Sequence, residues 1–150
     1  MSSADASPHG LSLREAAAAF ARRTLTARAL ADAQLARIAE TDAAIEAWAT
    51  LDPAHARAEA DRCDAAPSRG VLAGIGIGVK DIIHTRDLPT QMGSPAFAGQ
   101  RSDRDADCIA RLRAAGGYVF GKTVTTEFAF MQPGKTRNPW NAAHTPGGSS

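Results

Sequence analysis

The segment Gly74–Asp81, GIGIGVKD, constrains the fold more than any other part of the 150-residue sequence. Glycine alternates with branched aliphatic residues, and a period of two is typical of a β-strand with one buried face. Ile75, Ile77 and Val79 therefore face one side, and the glycines face the other side together with Lys80. Because these glycines carry no side chains, another part of the chain can approach Lys80 closely.

Three helices are predicted before this strand, each from a residue that can cap its first turn. The capping residues are Ser12, Thr26 and Asp52. Ser12 is followed at N3 by Glu15, which is the capping-box pattern, and Asp52 is followed by proline at N1. A short strand is predicted within Ala47–Leu51. Residues 1–11 are expected to form a disordered leader.

A helix and a second strand are predicted after the glycine-rich strand. The helix is expected to be capped by Asp103 or Asp105 and to stop at Gly116. The letters YVFG then predict a strand that begins at Tyr118. This order, three helices followed by strand, helix and strand, predicts an α/β fold whose N-terminal helices cover the sheet.

Composition excludes several classes of protein. Lys and Arg total 17 against 16 Asp and Glu, so we expect no nucleic-acid partner. No stretch approaches the roughly 20 apolar residues that span a bilayer, and the polar start lacks the apolar core of a secretory signal. Cys63 and Cys108 show no metal-type spacing and are expected to be reduced thiols. We therefore expect a soluble, cytoplasmic protein with no membrane partner, metal or cofactor.

The segment Gly116–Thr123, GGYVFGKT, matches the P-loop pattern letter for letter. A P-loop follows a strand and keeps its middle residues in a loop whose N–H groups surround phosphate. Here a predicted helix precedes the pattern, and Tyr118, Val119 and Phe120 are strong strand formers. We therefore predict a helix end and a strand, with Lys122 as a strand-end or surface residue in an ion pair.

A Ser–His–Asp hydrolase is a second alternative. The histidines available to it are His9, His55, His84 and His144. None has a diagnostic spacing from a serine or an aspartate, and the sequence contains no G-x-S-x-G nucleophile elbow. Surface or capping roles account for these histidines more simply.

Lys80 supports a third alternative, which is serine–lysine catalysis. Crowding at the glycine face is expected to remove water from the lysine ammonium group, and desolvation lowers a lysine pKa. A fall of two to three pKa units costs about 3–4 kcal/mol and produces a usable base. The other interpretation is an ordinary strand-end lysine that reaches solvent, and the spacing alone favours it.

Three longer segments carry a resemblance to a known family. They are, in order, GVLAGIGIGVKDIIHTRDLPTQMGSPAFAG, RLRAAGGYVFGKTVTTEFAF and NPWNAAHTPGGSS. Together they closely resemble the amidase signature family of hydrolases, over roughly residues 25–150. The resemblance implies a large α/β fold with a mixed β-sheet core covered by helices on both sides. Residues 12–150 would then be the N-terminal part of one such domain, truncated within the GGSS motif.

The resemblance implies an amidase that hydrolyses carboxylic amide C–N bonds through a Ser–cis-Ser–Lys triad and an acyl-enzyme. Lys80 matches the catalytic lysine, and Ser149 matches the bridging serine that follows a cis peptide bond, here Gly148–Ser149. The nucleophilic serine lies outside this sequence, so the 150 residues alone are predicted to be inactive. The residues that match substrate-binding positions are Met92, Gly93, Ser94, Gly147 and Gly148. Asp81 and Ser150 are expected to support the site, Asp81 through backbone hydrogen bonds at the strand end.

Several positions depart from the family pattern. Gly76 stands where proline is common, His84 stands where an acidic residue is usual, and Val124 follows GKT where asparagine is frequent. Because the amidase-type subunits of glutamyl-tRNA amidotransferases usually contain GKTNMDEF, we favour a free-standing amidase similar to malonamidase-type members, with a small-molecule amide as substrate. The amidase-type subunit of a tRNA-dependent amidotransferase and a non-catalytic protein of the same fold are the alternatives. A homodimer is left open.

Overall fold

The computed structural model describes residues 7–66 and 70–149, and the predicted elements occur in the predicted order. The helices and strands are α1 (Leu13–Ala21), α2 (Ala27–Ile45), β1 (Trp48–Thr50), α3 (Pro53–Ala65), β2 (Gly76–Lys80), α4 (Asp107–Ala114) and β3 (Tyr118–Thr123). Single turns of 3-10 helix occur at Pro8–Gly10, Pro95–Phe97 and Glu127–Ala129. None of the helices in these described ranges combines the length and the apolar character that a bilayer crossing requires.

The predicted helix starts are confirmed in the N-terminal half. Ser12 and Glu15 form both bonds of the capping box, Thr26 accepts the Ala29 N–H, and Asp52 accepts from the first turn of α3. Part of the predicted leader is ordered, since Pro8–Gly10 forms a 3-10 turn. The rest of the leader, residues 1–6, lies outside the described residues.

The predicted cap of α4 is wrong. Its N-cap is Ala106, which makes no side-chain capping bond. The Asp105 carboxylate instead accepts the Arg86 backbone N–H at 2.9 Å and lies 3.0 Å from Arg113 Nε. The opposite charge of the Arg113 guanidinium attracts this carboxylate, which therefore does not cap the helix.

The sheet has the strand order β1-β3-β2 and is mixed, with β2 parallel and β1 antiparallel to the central strand β3. Gly76 pairs with Tyr118 and Lys80 pairs with Thr123. The register shifts between these pairs, and Phe120 is the unpaired extra residue of β3. Most of the segment that matches the P-loop pattern therefore forms a strand that begins at Tyr118, as predicted, and this strand is the central one of the sheet.

Helices cover both faces of the sheet, which confirms the predicted architecture. On one face α2 and α3 pack against Tyr118 and Phe120, and on the other face α4 packs Ile109 against Val79 and Val119. Small side chains let α2 and α3 approach each other and the sheet closely. The fully buried alanines of these helices are Ala27, Ala31, Ala56 and Ala60.

The glycine face of β2 is filled mainly by aromatic side chains of the neighbouring strands. A Cβ atom at Gly76 would lie 2.8 Å from the Phe120 ring, and one at Gly78 would lie 3.4 Å from the Trp48 ring. These rings lie beside the strand before its last residue, so they leave Lys80 partly exposed. The expected enclosure of Lys80 is therefore incomplete among the described residues.

Candidate active site

The structure brings Lys80 and Ser149 into direct contact. Lys80 is the last residue of β2, and its Nζ donates to Ser149 Oγ at 2.5 Å. The two residues are 69 positions apart, and both side chains are partly buried. An amine beside a hydroxyl at this distance can exchange a proton with it, which is the first geometric requirement of acid–base catalysis.

Two glycines turn the chain so that Ser149 faces Lys80. Gly147 and Gly148 have φ angles of +85° and +66°, a conformation that glycine adopts at no steric cost. Ser149 O then accepts two hydrogen bonds, from Thr126 N at 3.1 Å and from Thr125 Oγ1 at 3.0 Å. These bonds anchor the backbone of the serine to the segment that follows β3.

The cis peptide bond that the resemblance implied between Gly148 and Ser149 is not observed. This bond is trans, like every other peptide bond of the described residues. The two positive φ angles already direct the serine towards Lys80, and a trans bond avoids the cost of about 3–4 kcal/mol for a cis bond before a non-proline residue. The supporting role expected of Ser150 lies outside the described residues.

Asp81 makes three hydrogen bonds at the end of β2. Its backbone N–H donates to Thr123 O at 2.9 Å, its carbonyl accepts the Met92 N–H at 2.9 Å, and its Oδ2 accepts the Gln91 N–H at 3.2 Å. Asp81 therefore closes a loop that begins directly after Lys80 and returns to the same strand end.

Lys122 forms an ion pair next to the last residue of β3, as predicted, but its side chain is fully buried and does not reach the surface. Its Nζ lies 3.2 Å from Asp81 Oδ1 and donates to Thr90 Oγ1 at 2.7 Å and to Pro89 O at 3.0 Å. Burial lowers the pKa of the Lys122 ammonium group, and the charge of Asp81 opposes that change.

The predicted substrate-binding loop Met92–Ser94 packs against the segment that follows β3. Met92 has a φ of +56°, and its carbonyl accepts the Phe128 N–H at 2.9 Å. Gly93 packs so tightly that a Cβ atom there would lie 2.6 Å from Thr125 O. Ser94 is buried. The loop therefore touches the Thr125–Thr126 segment that anchors Ser149.

A cavity of about 250 Å³ lies beside the residues that directly precede Ser149. Gly147 and Gly148, predicted to bind substrate, line one side, and Val124, Thr125 and Thr126 line another. The remaining lining residues are Met131, Pro133, Gly134, Thr136, Thr145 and Pro146. Among the residues that the structure describes, no lining side chain carries a charge, which favours a neutral occupant.

Thr125 and Thr126 were not identified from the sequence. Both follow β3 in an extended stretch with no periodic pattern. Each donates a hydrogen bond to the carbonyl of Ser149, which lies more than 20 positions later. Threonines next to the recognised GKT letters were the only available signal. Their importance follows from the tertiary contact alone.

One cluster of side chains in the described ranges has ligand types that suit a metal, namely His55, Glu59 and Asp87. Arg113 lies among them, with its guanidinium 3.1 Å from Glu59 Oε2 and in contact with Asp87 Oδ2. Arg113, together with Arg62 at Glu59 Oε1, compensates the charge of the two carboxylates, so the cluster is an ion-pair network between α3, α4 and the loop before α4.

The family model of the amidases matches residues 29–150. The chain belongs to the amidase family. The segments that contain Lys80 and Ser149 therefore lie within the part of the chain that matches the amidase family.

Related proteins agree with this family assignment. A protein of Roseiflexus sp. (strain RS-1), described as a subunit of glutamyl-tRNA(Gln) amidotransferase, is 40% identical over 154 residues, covering 95% of this chain and 31% of that protein. The structure of native peptide amidase from Stenotrophomonas maltophilia has a TM-score of 0.86 at 32% identity, covering 96% of this chain and 33% of that one. An amidase family protein from Bacillus anthracis str. Ames has a TM-score of 0.82 at 25% identity, with 93% and 31% covered. This amidase-family chain spans about a third of the length of these relatives.

Proposed function

We propose that the protein hydrolyses the C–N bond of small carboxylic amides through an acyl-enzyme. The observation that carries this proposal is the contact between Lys80 Nζ and Ser149 Oγ at 2.5 Å. Membership of the amidase family and the similarity to peptide amidase support the same reaction class. The nucleophilic serine is assigned to a segment of the complete protein outside these residues.

In this mechanism Ser149 is a proton bridge. The nucleophile gives its hydroxyl proton to Ser149 Oγ as it attacks the amide carbon, and Ser149 gives its own proton to uncharged Lys80. The protons then return along the same path to the leaving amine, which departs as the C–N bond breaks. Water repeats the attack on the ester, releasing the acid and restoring each group.

The cavity that Gly147 and Gly148 help to line supports an uncharged amide as the substrate. Its lining combines threonine hydroxyls and glycine backbone with proline and methionine side chains, and it carries no charged group. A cavity of this type suits a compact amide with an apolar substituent. We also infer a cytoplasmic location, because Cys63 and Cys108 are both free thiols. A homodimer is retained as the proposed assembly to be tested by light scattering.

A second candidate is the amidase-type subunit of a tRNA-dependent amidotransferase. The observation that favours it is the identity of 40% with the Roseiflexus protein of that description. This function would require partner subunits and a tRNA. The nearly neutral composition, in contrast, predicts no nucleic-acid partner. The VTT letters after GKT, at Val124–Thr126, favour the free-standing amidase.

The test uses the complete protein and a panel of neutral aliphatic, aromatic and peptide amides. We expect ammonia or amine release without any partner, and hydroxamate formation when hydroxylamine intercepts the acyl-enzyme. Release that occurs only from glutamine, and only with partner subunits and aminoacylated tRNA, would establish the second candidate. A protein that is inactive under both conditions, with no serine in the downstream glycine-rich segment, would be a non-catalytic member of the fold.

A further inference from the structure

Lys122 is a buried charged group that the proposed mechanism does not use. Its side chain is 0 % exposed in the central strand β3. Lys122 Nζ donates hydrogen bonds to Thr90 Oγ1 and Pro89 O, and it forms an ion pair with Asp81 Oδ1 at 3.2 Å. Because these three oxygens surround a side chain with no exposed surface, the effect of this lysine must come through the residues that it holds.

The partners of Lys122 lie at the two ends of one loop. Asp81 directly follows Lys80, whereas Pro89 and Thr90 precede the Met92–Ser94 segment. Asp81 also accepts the Gln91 and Met92 N–H groups, so the loop closes around the ammonium group. The ammonium group therefore fixes both the end of β2 and the return of the chain to it.

The same loop contacts the residues that anchor Ser149. Met92 O accepts the Phe128 N–H, and Gly93 lies against Thr125 O. Thr125 and Thr126 in turn hold Ser149 O. A continuous set of packed and hydrogen-bonded groups thus leads from Lys122 to both members of the Lys80–Ser149 pair.

We propose that Lys122 is a positioning residue whose buried ammonium group holds the 81–92 loop so that Lys80 Nζ meets Ser149 Oγ. Its consequence for catalysis rests on the proposed amidase function. A buried ion pair is often replaceable by apolar groups without loss of stability, whereas a displacement of about 1 Å at a reacting group can cost about 100-fold in rate. Lys122 is therefore expected to affect the positions of Lys80 and Ser149 more than the stability of the fold.

The test is made in the complete protein with the charge-balanced variant Lys122→Met/Asp81→Asn. The variant leaves no buried charge unpaired, and asparagine keeps an oxygen acceptor for the Gln91 N–H, so the protein is expected to fold. Val119→Ala is the matched control, since it removes buried volume from the same strand but no polar contact of the loop. The single variant Lys122→Met leaves Asp81 buried and unpaired and is expected to be less stable than the double variant.

Two measurements are made on each variant. For an amide that the wild-type protein hydrolyses, we expect kcat of the double variant to fall about 100-fold with KM within threefold, and kcat of the control to stay within threefold. Independently of activity, we expect amide hydrogen exchange at Gln91 and Met92 to become at least tenfold faster in the double variant and to stay unchanged in the control.

The two measurements separate the two proposals. If the wild-type protein hydrolyses no amide, the proposed function fails, and hydrogen exchange still decides whether Lys122 holds the loop. Unchanged exchange in the double variant overturns the role of Lys122 whatever the activity. Faster exchange with an unchanged kcat, or an equal loss of kcat in Val119→Ala, also overturns it.

Discussion

Lys80 Nζ and Ser149 Oγ form a hydrogen bond of 2.5 Å between the end of a strand and a glycine turn 69 residues later. The bond requires three segments to be in place, namely β2, the Met92–Ser94 loop and the Thr125–Thr126 anchor. Single substitutions can remove the side-chain contacts of Lys80 and Thr125 and can disturb the tight packing of Gly93. The contact is therefore open to direct experimental tests.

Replacement of Lys80 by alanine in the complete protein is expected to reduce the rate of acylation by several orders of magnitude. The lysine is the proposed proton acceptor, and no other lysine contacts Ser149 among the described residues. The fold should be retained, because the side chain is only partly buried. Pre-steady-state product release and circular dichroism measure the two effects, and an activity loss below tenfold would eliminate the lysine as the base.

Ser149→Ala is expected to be nearly as damaging as the lysine variant, since it removes the proposed proton bridge. Ser12→Ala is a matched control, because it deletes a serine hydroxyl from the capping box of α1 and not from the site. The control should lose about 1 kcal/mol of stability and keep its rate. A normal rate for Ser149→Ala would instead favour a histidine-based mechanism.

Thr125→Val removes the hydroxyl that donates to Ser149 O but preserves the branched shape of the side chain. We expect kcat to fall about tenfold, in line with about 1.4 kcal/mol for a lost buried hydrogen bond. Thr126→Val is the control, because the Thr126 hydroxyl is buried without a hydrogen-bond partner in the part of the chain that the structure describes. Steady-state kinetics on both variants measure the difference, and equal effects would contradict a specific role for Thr125.

Gly93→Ala and Gly99→Ala test the tight packing of the Met92–Ser94 loop. Both glycines have positive φ angles, +65° and +74°, so both variants incur a backbone cost of about 1 kcal/mol. Only the methyl group at position 93 would meet another atom, Thr125 O at 2.6 Å, whereas position 99 has open space. Urea denaturation should show a further loss of about 1–3 kcal/mol for Gly93→Ala. Similar stabilities of the two variants would exclude the close approach.

The features predicted correctly from the sequence depend on near neighbours in the chain. The capping box at Ser12 joins residues three apart, and the alternation that predicted β2 has a period of two. The family motifs singled out Lys80 and Ser149 because whole segments matched in order, and the structure brings these two side chains together. The capping and alternation signals are complete within a short stretch, and the family motifs are read from the order of the letters, so all of them can be recognised without knowledge of the fold.

The errors occurred where a distant group competes for a side chain. Asp105 was expected to cap α4, but Arg113 and the Arg86 N–H take its carboxylate. Lys122 was expected at a strand end or on the surface, and it does lie next to the last residue of β3. Because β3 is the central strand, the side chain is buried, and loop oxygens from positions 89–90 replace water around its ammonium group. A charge becomes acceptable in the interior when its partners surround it, and those partners come from elsewhere in the chain.

Spacing and capping chemistry were enough to predict the helices, the strands and their order, because each depends on contacts within one or two turns of the chain. The Lys80–Ser149 contact, the trans bond before the serine and the burial of Lys122 were decided only when β2, β3 and their loops packed together. Hydrogen bonds and charge compensation between distant residues act at distances of about 3 Å, and only the folded chain brings those atoms so close.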